Sequence, residues 1–162
     1  MARGRRLQQT PTQHGSIALA YDLFAFDLFA APRDRYDFLD WVSRTFRDAD
    51  GGSGGDASRT TAPLRAWHLD MSQSFPGRRD PHALDEDDPN AQRMATYRFT
   101  QGILQASFHW EASGQALYRA RRAAQVQGVG LFEASGNDGA VWMMSPRGRF
   151  EVVHRSDDAR RA

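Results

Sequence analysis

The densest group of acidic side chains lies in segment 80–88, which contains the uninterrupted run Asp85, Glu86, Asp87 and Asp88. Clustered carboxylates can bind a hard cation such as Ca²⁺, or they can meet a basic protein surface and orient it. The run lacks the alternating ligands and the central glycine of an EF-hand loop, which disfavours a metal site. Two interpretations stay open, a solvated acidic loop and a docking surface whose contacts are these four residues.

Two further carboxylates, Asp22 and Asp27, interrupt an apolar segment. A buried carboxylate needs a partner or a shifted pKa, so these residues are candidates for acid–base chemistry. They are five positions apart, however, and therefore point to opposite faces of a strand. We expect edge positions, or bonds to an arginine or a nearby amide, rather than a shared substrate.

The five histidines form no HxH or HExxH pair, and the chain has no cysteine. Cysteine-based zinc sites, disulfides and thiol nucleophiles are thereby excluded, and we predict no metal and no cofactor. The segment from Ser135 to Gly139 joins two predicted strands, so Ser135 is not a nucleophile elbow. The tryptophans are expected in the core rather than in a ligand cage: Trp41, Trp67, Trp110 and Trp142.

The composition indicates one globular domain, since 162 residues with 40% hydrophobic content can bury a core. All 21 basic residues are arginine and the net charge is +1, so nucleic-acid binding is not expected. The apolar stretch 17–31 is too short and too charged to span a bilayer. We expect a soluble, cytoplasmic protein without membrane contact.

The helices and strands predicted in the first half of the chain determine where the acidic run lies. Residues 1–16 read as a disordered leader, and 17–26 as a central strand that is apolar on both faces. Pro32 ends this strand. An amphipathic helix over 33–47 is predicted by the apolar stripe Tyr36, Leu39, Val42 and Phe46, which Phe38 and Trp41 widen. A Gly-rich loop at 48–56 precedes a second helix, which begins at Thr60 or Thr61 and ends at Pro76. Residues 76–92, which hold the acidic run, form a long loop.

The second half predicts strands over 94–101 and 103–110, a helix over 112–127 capped by Gly128, and strands over 129–134 and 140–144. Residues 149–154 are a candidate edge strand, and 155–162 a charged tail. The fold class is therefore α+β, with order β-α-α-β-β-α-β-β in a single domain over 17–154. We expect a mostly antiparallel sheet with the helices packed on one face, in a ferredoxin-like arrangement.

Several short motifs recur in a consistent order between residues 17 and 144 and carry a family resemblance. They include Tyr21-Asp22-Leu23, Phe26-Asp27, Ala31-Pro32-Arg33-Asp34, Phe38-Leu39-Asp40-Trp41, Phe75-Pro76, Asp87-Asp88-Pro89, Phe108-His109-Trp110, Gly128-Val129-Gly130, Ser135-Gly136, Asp138-Gly139 and Trp142. The chain resembles small, mostly uncharacterised bacterial proteins that open with a YDL-x-x-F/W strand and end with a GVGxFxxSGxDGxxW segment. It differs from them in its basic leader, its longer Gly-rich loop and the polar gap before its acidic run.

The resemblance implies an immunity-type role, because some members of such families are encoded beside polymorphic toxin genes. Toxins of this kind commonly act on nucleic acids or nucleotides, which an acidic loop can mimic. The leading hypothesis is therefore a non-enzymatic protein that neutralises a cognate toxin by occlusion. The alternative is an enzyme or small-molecule-binding module with a pocket between sheet and helices, for which Asp22, Tyr97 and His109 are the first residues to test. A housekeeping homodimer is a third possibility.

Overall fold

A computed structural model describes residues 20–48, 56–81 and 83–155. The predicted leader, residues 17–19 of the first predicted strand, most of the Gly-rich loop, His82 and nearly all of the charged tail lie outside these ranges. The described elements are β1 (Ala20–Phe26), α1 (Arg35–Asp48), α2 (Ala62–Ser72), β2 (Thr96–Phe99), β3 (Ile103–His109), α3 (Ser113–Gln127), β4 (Gly130–Phe132), β5 (Val141–Met144) and β6 (Phe150–His154). No helix in the described ranges has the length and apolar character needed to cross a membrane.

The six strands form one antiparallel sheet in the order β2-β3-β1-β4-β5-β6. The prediction of an α+β protein with an antiparallel sheet is confirmed. The described order is β-α-α-β-β-α-β-β-β, one strand longer than the eight-element order, because 150–154 pairs with β5. β1 lies between β3 and β4, in the central position that its apolar residues predict.

One face of the sheet packs against α2 and α3. Leu23 and Ala25 of β1 point to this face, together with Leu104 and Ala106 of β3. α2 contributes Leu64, Trp67 and Met71, whereas α3 contributes mainly alanines, Ala116, Ala120, Ala123 and Ala124, all of them buried. The small side chains of α3 allow its backbone to lie close to the sheet. The larger of the two cores is therefore enclosed between this helix pair and the sheet.

The opposite face of the sheet packs against α1, so the prediction that the helices share one face is wrong. Phe24 and Phe26, which alternate with Leu23 and Ala25 along β1, contact a second cluster that contains Phe38 and Val42 of α1. Since consecutive side chains of a strand point to opposite faces, an apolar run must be covered twice. The continuous apolar character of β1 requires a helix on each side of it.

The ends of α1 and α3 follow from local sequence signals. The carboxylate of Asp34 accepts hydrogen bonds from the backbone nitrogens of Tyr36 at 2.9 Å and Asp37 at 3.2 Å, which caps the start of α1. Gly128 ends α3 with φ of 70°, in the left-handed region that favours glycine. The predicted stripe of α1 was wrong at Tyr36, which is 66% exposed, because Phe38 rather than Tyr36 occupies the centre of the buried face.

We predict that Gly130→Ala destabilises the protein by about 1–3 kcal/mol, as overpacked cores do. Gly130 pairs with Phe26 across β4 and β1, and a Cβ at this position would collide with the Phe26 ring. That ring is fully buried and packs edge-on against Phe38 at 4.9 Å, so it cannot move aside without disturbing α1. Urea unfolding followed by circular dichroism measures the effect.

Gly114→Ala is the matched control for this substitution. A Cβ at Gly114 meets no atom within 4 Å, and the residue lies in the first turn of α3. Alanine there should leave the stability unchanged or raise it by up to about 1 kcal/mol. Equal effects of the two substitutions would contradict the steric account of Gly130.

Candidate functional site

The acidic loop, residues 85–88, holds its carboxylates on a backbone that is tied down by turn hydrogen bonds. The Asp88 nitrogen donates to the Asp85 carbonyl at 2.9 Å, and the Ala91 nitrogen donates to the Asp88 carbonyl at 2.9 Å. Asp85, Glu86 and Asp87 are exposed, and their side chains form no hydrogen bond or ion pair with the part of the chain that is described. The loop therefore presents three exposed carboxylates that have no side-chain partner among the described residues, and it holds them on an ordered turn.

Asp88 differs from the other three acidic residues of the loop. It is half-buried, and its Oδ1 accepts a hydrogen bond from the Asn90 nitrogen at 2.7 Å. This bond stabilises the turn that leads into the 3₁₀ helix Ala91–Arg93. Asp88 thus shapes the loop, whereas the side chains of the other three residues form no such bond with the described residues.

Metal binding gains no support from side-chain placement in the described ranges, where no three histidine or acidic side chains are grouped closely enough to hold an ion.

The side chains of Asp22 and Asp27 each accept a hydrogen bond from a nearby group. The Asp27 Oδ1 accepts from the Phe29 nitrogen at 2.8 Å, the bond to a nearby amide that its position predicts. Asp22 instead accepts from the Ser107 hydroxyl at 2.5 Å, on the neighbouring strand.

The residues suggested for an enzyme do not converge on one site. Asp22, Ser107 and His109 share the α1 face of the sheet, beside a small hollow of about 110 Å³ that Ser107 and His109 line. The His109 Nε2 lies 2.9 Å from a nitrogen of Arg78. Because a guanidinium only donates, the Nε2 is the acceptor in this contact. The His109 Nε2 is thus bonded to Arg78, and the Ser107 hydroxyl donates to Asp22 rather than to His109.

Tyr97 lies on the other face of the sheet, in the core under α2. Its hydroxyl donates to the Phe75 carbonyl at 2.7 Å, and burial, with a smaller effect of Asp80, raises its pKa far above the usual value. The phenol is therefore a neutral structural donor at physiological pH. His68 of α2 packs edge-on against Tyr97 at 4.6 Å and against Phe99 at 4.9 Å.

A buried carboxylate that the sequence did not single out organises a second surface. Glu133, which follows β4 and is 6% exposed, accepts three hydrogen bonds on Oε1. Two come from Arg121 of α3, from Nε at 2.7 Å and from a terminal nitrogen at 2.5 Å, and the third comes from the Trp142 indole at 2.7 Å. One acidic side chain thus joins α3 to β5. The sequence signal that could have identified Glu133 is an acidic residue directly after a short apolar strand.

These contacts shape an open groove of about 470 Å³ between α3 and the outer strands. We call it the α3 groove; its lining includes Leu117, Tyr118, Arg121, Arg122, Trp142 and Phe150. The guanidinium of Arg121 lies 4.5 Å above the Trp142 ring, and Phe150 stacks on the same indole with centroids 5.7 Å apart. Trp142 is therefore held by Glu133, Arg121 and Phe150 together.

The core assignment of the tryptophans is confirmed for Trp67 and wrong for Trp110. Trp67 is fully buried and donates from Nε1 to the Ala120 carbonyl at 3.1 Å, which links α2 to α3. Trp110 is 53% exposed, because the strand ends at His109 and a 3₁₀ helix begins there. Its ring packs edge-on against Tyr21, with the ring centroids 5.4 Å apart.

Comparison with known proteins adds no functional assignment: no family model, no curated protein and no solved structure matches this chain. The chemistry of the described surfaces therefore carries the functional argument.

We predict that the protein loses stability as the pH falls below about 6.5, the ordinary pKa of histidine in an unfolded chain. Burial lowers the pKa of His68 in the folded protein, and Asp80 only partly opposes this. The unfolded chain therefore binds a proton at His68 before the folded chain does, and protonation favours unfolding. At higher pH the residue is neutral in both states and the effect disappears.

His68→Phe tests this prediction, since it keeps an aromatic ring against Tyr97 and Phe99 but cannot titrate. Urea unfolding at a series of pH values from about 7.5 to about 5 should show a smaller loss of stability in the variant than in the wild type. The same pH dependence in both proteins would assign the acid sensitivity to other groups.

Proposed function

We propose that this protein is a non-catalytic, intracellular binding protein that neutralises a cognate bacterial toxin by covering its active site or substrate groove. The observation that carries the proposal is the acidic loop, in which three exposed carboxylates stand on an ordered turn. A preformed loop loses little conformational entropy on binding, which favours affinity. The family resemblance, with its immunity-type role, supports the same function.

The partner surface should be basic. Asp85, Glu86 and Asp87 are consecutive and exposed, so their charges act together at short range. Charges of this kind accelerate association and orient the partner more than they add to final affinity. Toxins that act on nucleic acids or nucleotides have basic substrate sites, and the acidic loop would occupy the place of the phosphates.

We also propose that the central part of the chain is a ferredoxin-like fold with additions. The strand order β2-β3-β1-β4, with α2 before β2 and α3 before β4 on one face, supports this reading because it follows a β-α-β-β-α-β pattern. α1 on the opposite face and the outer strands β5 and β6 would then be additions to that pattern. Such a fold carries many unrelated functions and does not itself indicate one.

Co-expression with the products of neighbouring genes tests the function directly. We expect this protein to rescue growth from one of them and to copurify with it. Absence of both rescue and a copurifying partner, for every neighbouring gene, would overturn the immunity proposal.

The contribution of the acidic loop is tested by the triple variant Asp85→Asn, Glu86→Gln, Asp87→Asn. It removes three charges, preserves side-chain shape and leaves the Asp88 turn intact. The association rate with the captured partner should fall by about tenfold at low salt and become less sensitive to ionic strength. Stopped-flow or surface plasmon resonance measurements at several salt concentrations give the rates.

A second triple variant, Asp37→Asn, Glu111→Gln, Glu151→Gln, is the matched control. It makes the same change in net charge at three exposed residues outside the loop. We expect it to change the association rate less than twofold, a difference that long-range charge effects can produce. Equal effects of the two variants would show that net charge, and not the loop, governs binding.

A further inference from the structure

We propose that the α3 groove binds a small aromatic carboxylate. The groove exists because the helix pair covers only part of the sheet. α3 packs on β4, β1 and β3, while β5 and β6 continue beyond it with Trp142 and Phe150 on the same face as the core. In the α3 groove, α3 therefore forms the wall, and the rings of Trp142 and Phe150 form the floor. The groove volume of about 470 Å³ lies in the range of small-molecule sites.

Contacts within the protein hold the side chains of Arg121, Trp142 and Phe150 in place without a ligand. Glu133 is buried and bonds the Arg121 guanidinium and the Trp142 indole through the same oxygen. Phe150 then stacks on Trp142 at an interplanar angle of 19°. A ligand would not need to order these side chains, which lowers the entropic cost of binding.

The charge of the groove selects an anion. Arg121 is neutralised by Glu133 beneath it. Arg122, the next residue, is exposed on the groove wall and forms no ion pair or hydrogen bond with the described parts of the chain. No acidic side chain lines the described groove. The Arg122 guanidinium therefore lies beside an apolar floor with no counter-charge among the described residues.

A ligand that complements these features has one negative charge attached to a flat apolar body. A guanidinium matches a carboxylate with two parallel hydrogen bonds, and one uncompensated positive charge calls for a monoanion. Leu117, Trp142 and Phe150 line the groove and offer apolar contact to an aromatic ring. Tyr118, which is 67% exposed on the groove wall, adds a second ring and a hydroxyl donor.

The probes for this site are 1-naphthoate, its neutral analogue 1-naphthamide and the cationic 1-naphthylmethylamine. Titration of the full chain, followed by backbone and indole NMR shifts, should give a Kd for naphthoate of about 1 mM, the strength expected of a ligand this small. Shift changes should centre on Leu117, Arg122 and the Trp142 indole. The amide should bind about tenfold more weakly, and the amine more weakly still.

Arg122→Gln should reduce naphthoate affinity to that of the amide while leaving amide binding unchanged. Arg119→Gln is the control: it removes one charge from the same helix, but this guanidinium contacts Asp70 of α2, outside the α3 groove. It should alter naphthoate affinity less than twofold, as a distant exposed charge does. Phe150→Leu should weaken acid and amide alike, and its unfolding midpoint verifies that it still folds.

Three results would overturn this proposal. They are no shift changes at about 5 mM naphthoate, several times the expected Kd; equal affinities for acid and amide; and an Arg122→Gln variant that still prefers the acid. None of these results bears on the acidic loop, whose role is tested with a protein partner. The two proposals therefore fail independently.

Discussion

The structure depends on the burial of β1 from both sides. Leu23 and Ala25 face α2 and α3, while Phe24 and Phe26 face α1, and all of these residues except Phe24 are fully buried. Burying a large apolar side chain contributes about 1.5–3 kcal/mol, so a strand that is apolar on both faces cannot leave either one exposed. This requirement places β1 in the centre of the sheet and separates α1 from the other two helices. The position of Gly130 follows from it too, since the Phe26 ring occupies the space where a side chain would be.

The same packing explains where polar groups collect. α2 and α3 do not cover all six strands of the sheet. Glu133 lies at the edge of the part of the sheet that these helices cover. A carboxylate buried at such a boundary must be compensated, and removing a partner from a buried ion pair is costly. Arg121 and Trp142 provide that compensation, and in doing so they fix the shape of the α3 groove. The groove is thus a consequence of satisfying one buried charge at the edge of the core.

The acidic loop and the α3 groove differ in charge, and both are connected to α3. The acidic loop leads into the 3₁₀ helix Ala91–Arg93, whose Arg93 bonds the Gln115 side chain of α3 at 3.3 Å. Four residues further along α3 is Arg119, which contacts α2, and beyond it are the arginines of the groove. α3 is therefore linked to the acidic loop at its first turn and forms one wall of the α3 groove. Its buried alanines hold it against the sheet, whereas its exposed face carries the polar and aromatic groups.

Local signals in the sequence predicted most of the helices and strands: the alternation in β3, the spacing of Leu64, Trp67 and Met71 in α2, and Gly128 after α3. The sequence also indicated the antiparallel sheet, the central strand and an exposed acidic loop. The packing of distant elements is what places α1 opposite α2 and α3, brings Asp22 to Ser107, and puts Tyr97 and His109 on different sides of the sheet. Glu133, Arg121 and Trp142 could not be grouped beforehand, since Glu133 follows β4, Arg121 lies in α3 and Trp142 lies in β5. Which distant residues meet depends on how elements pack, and packing depends on the shape of the whole core rather than on any local pattern.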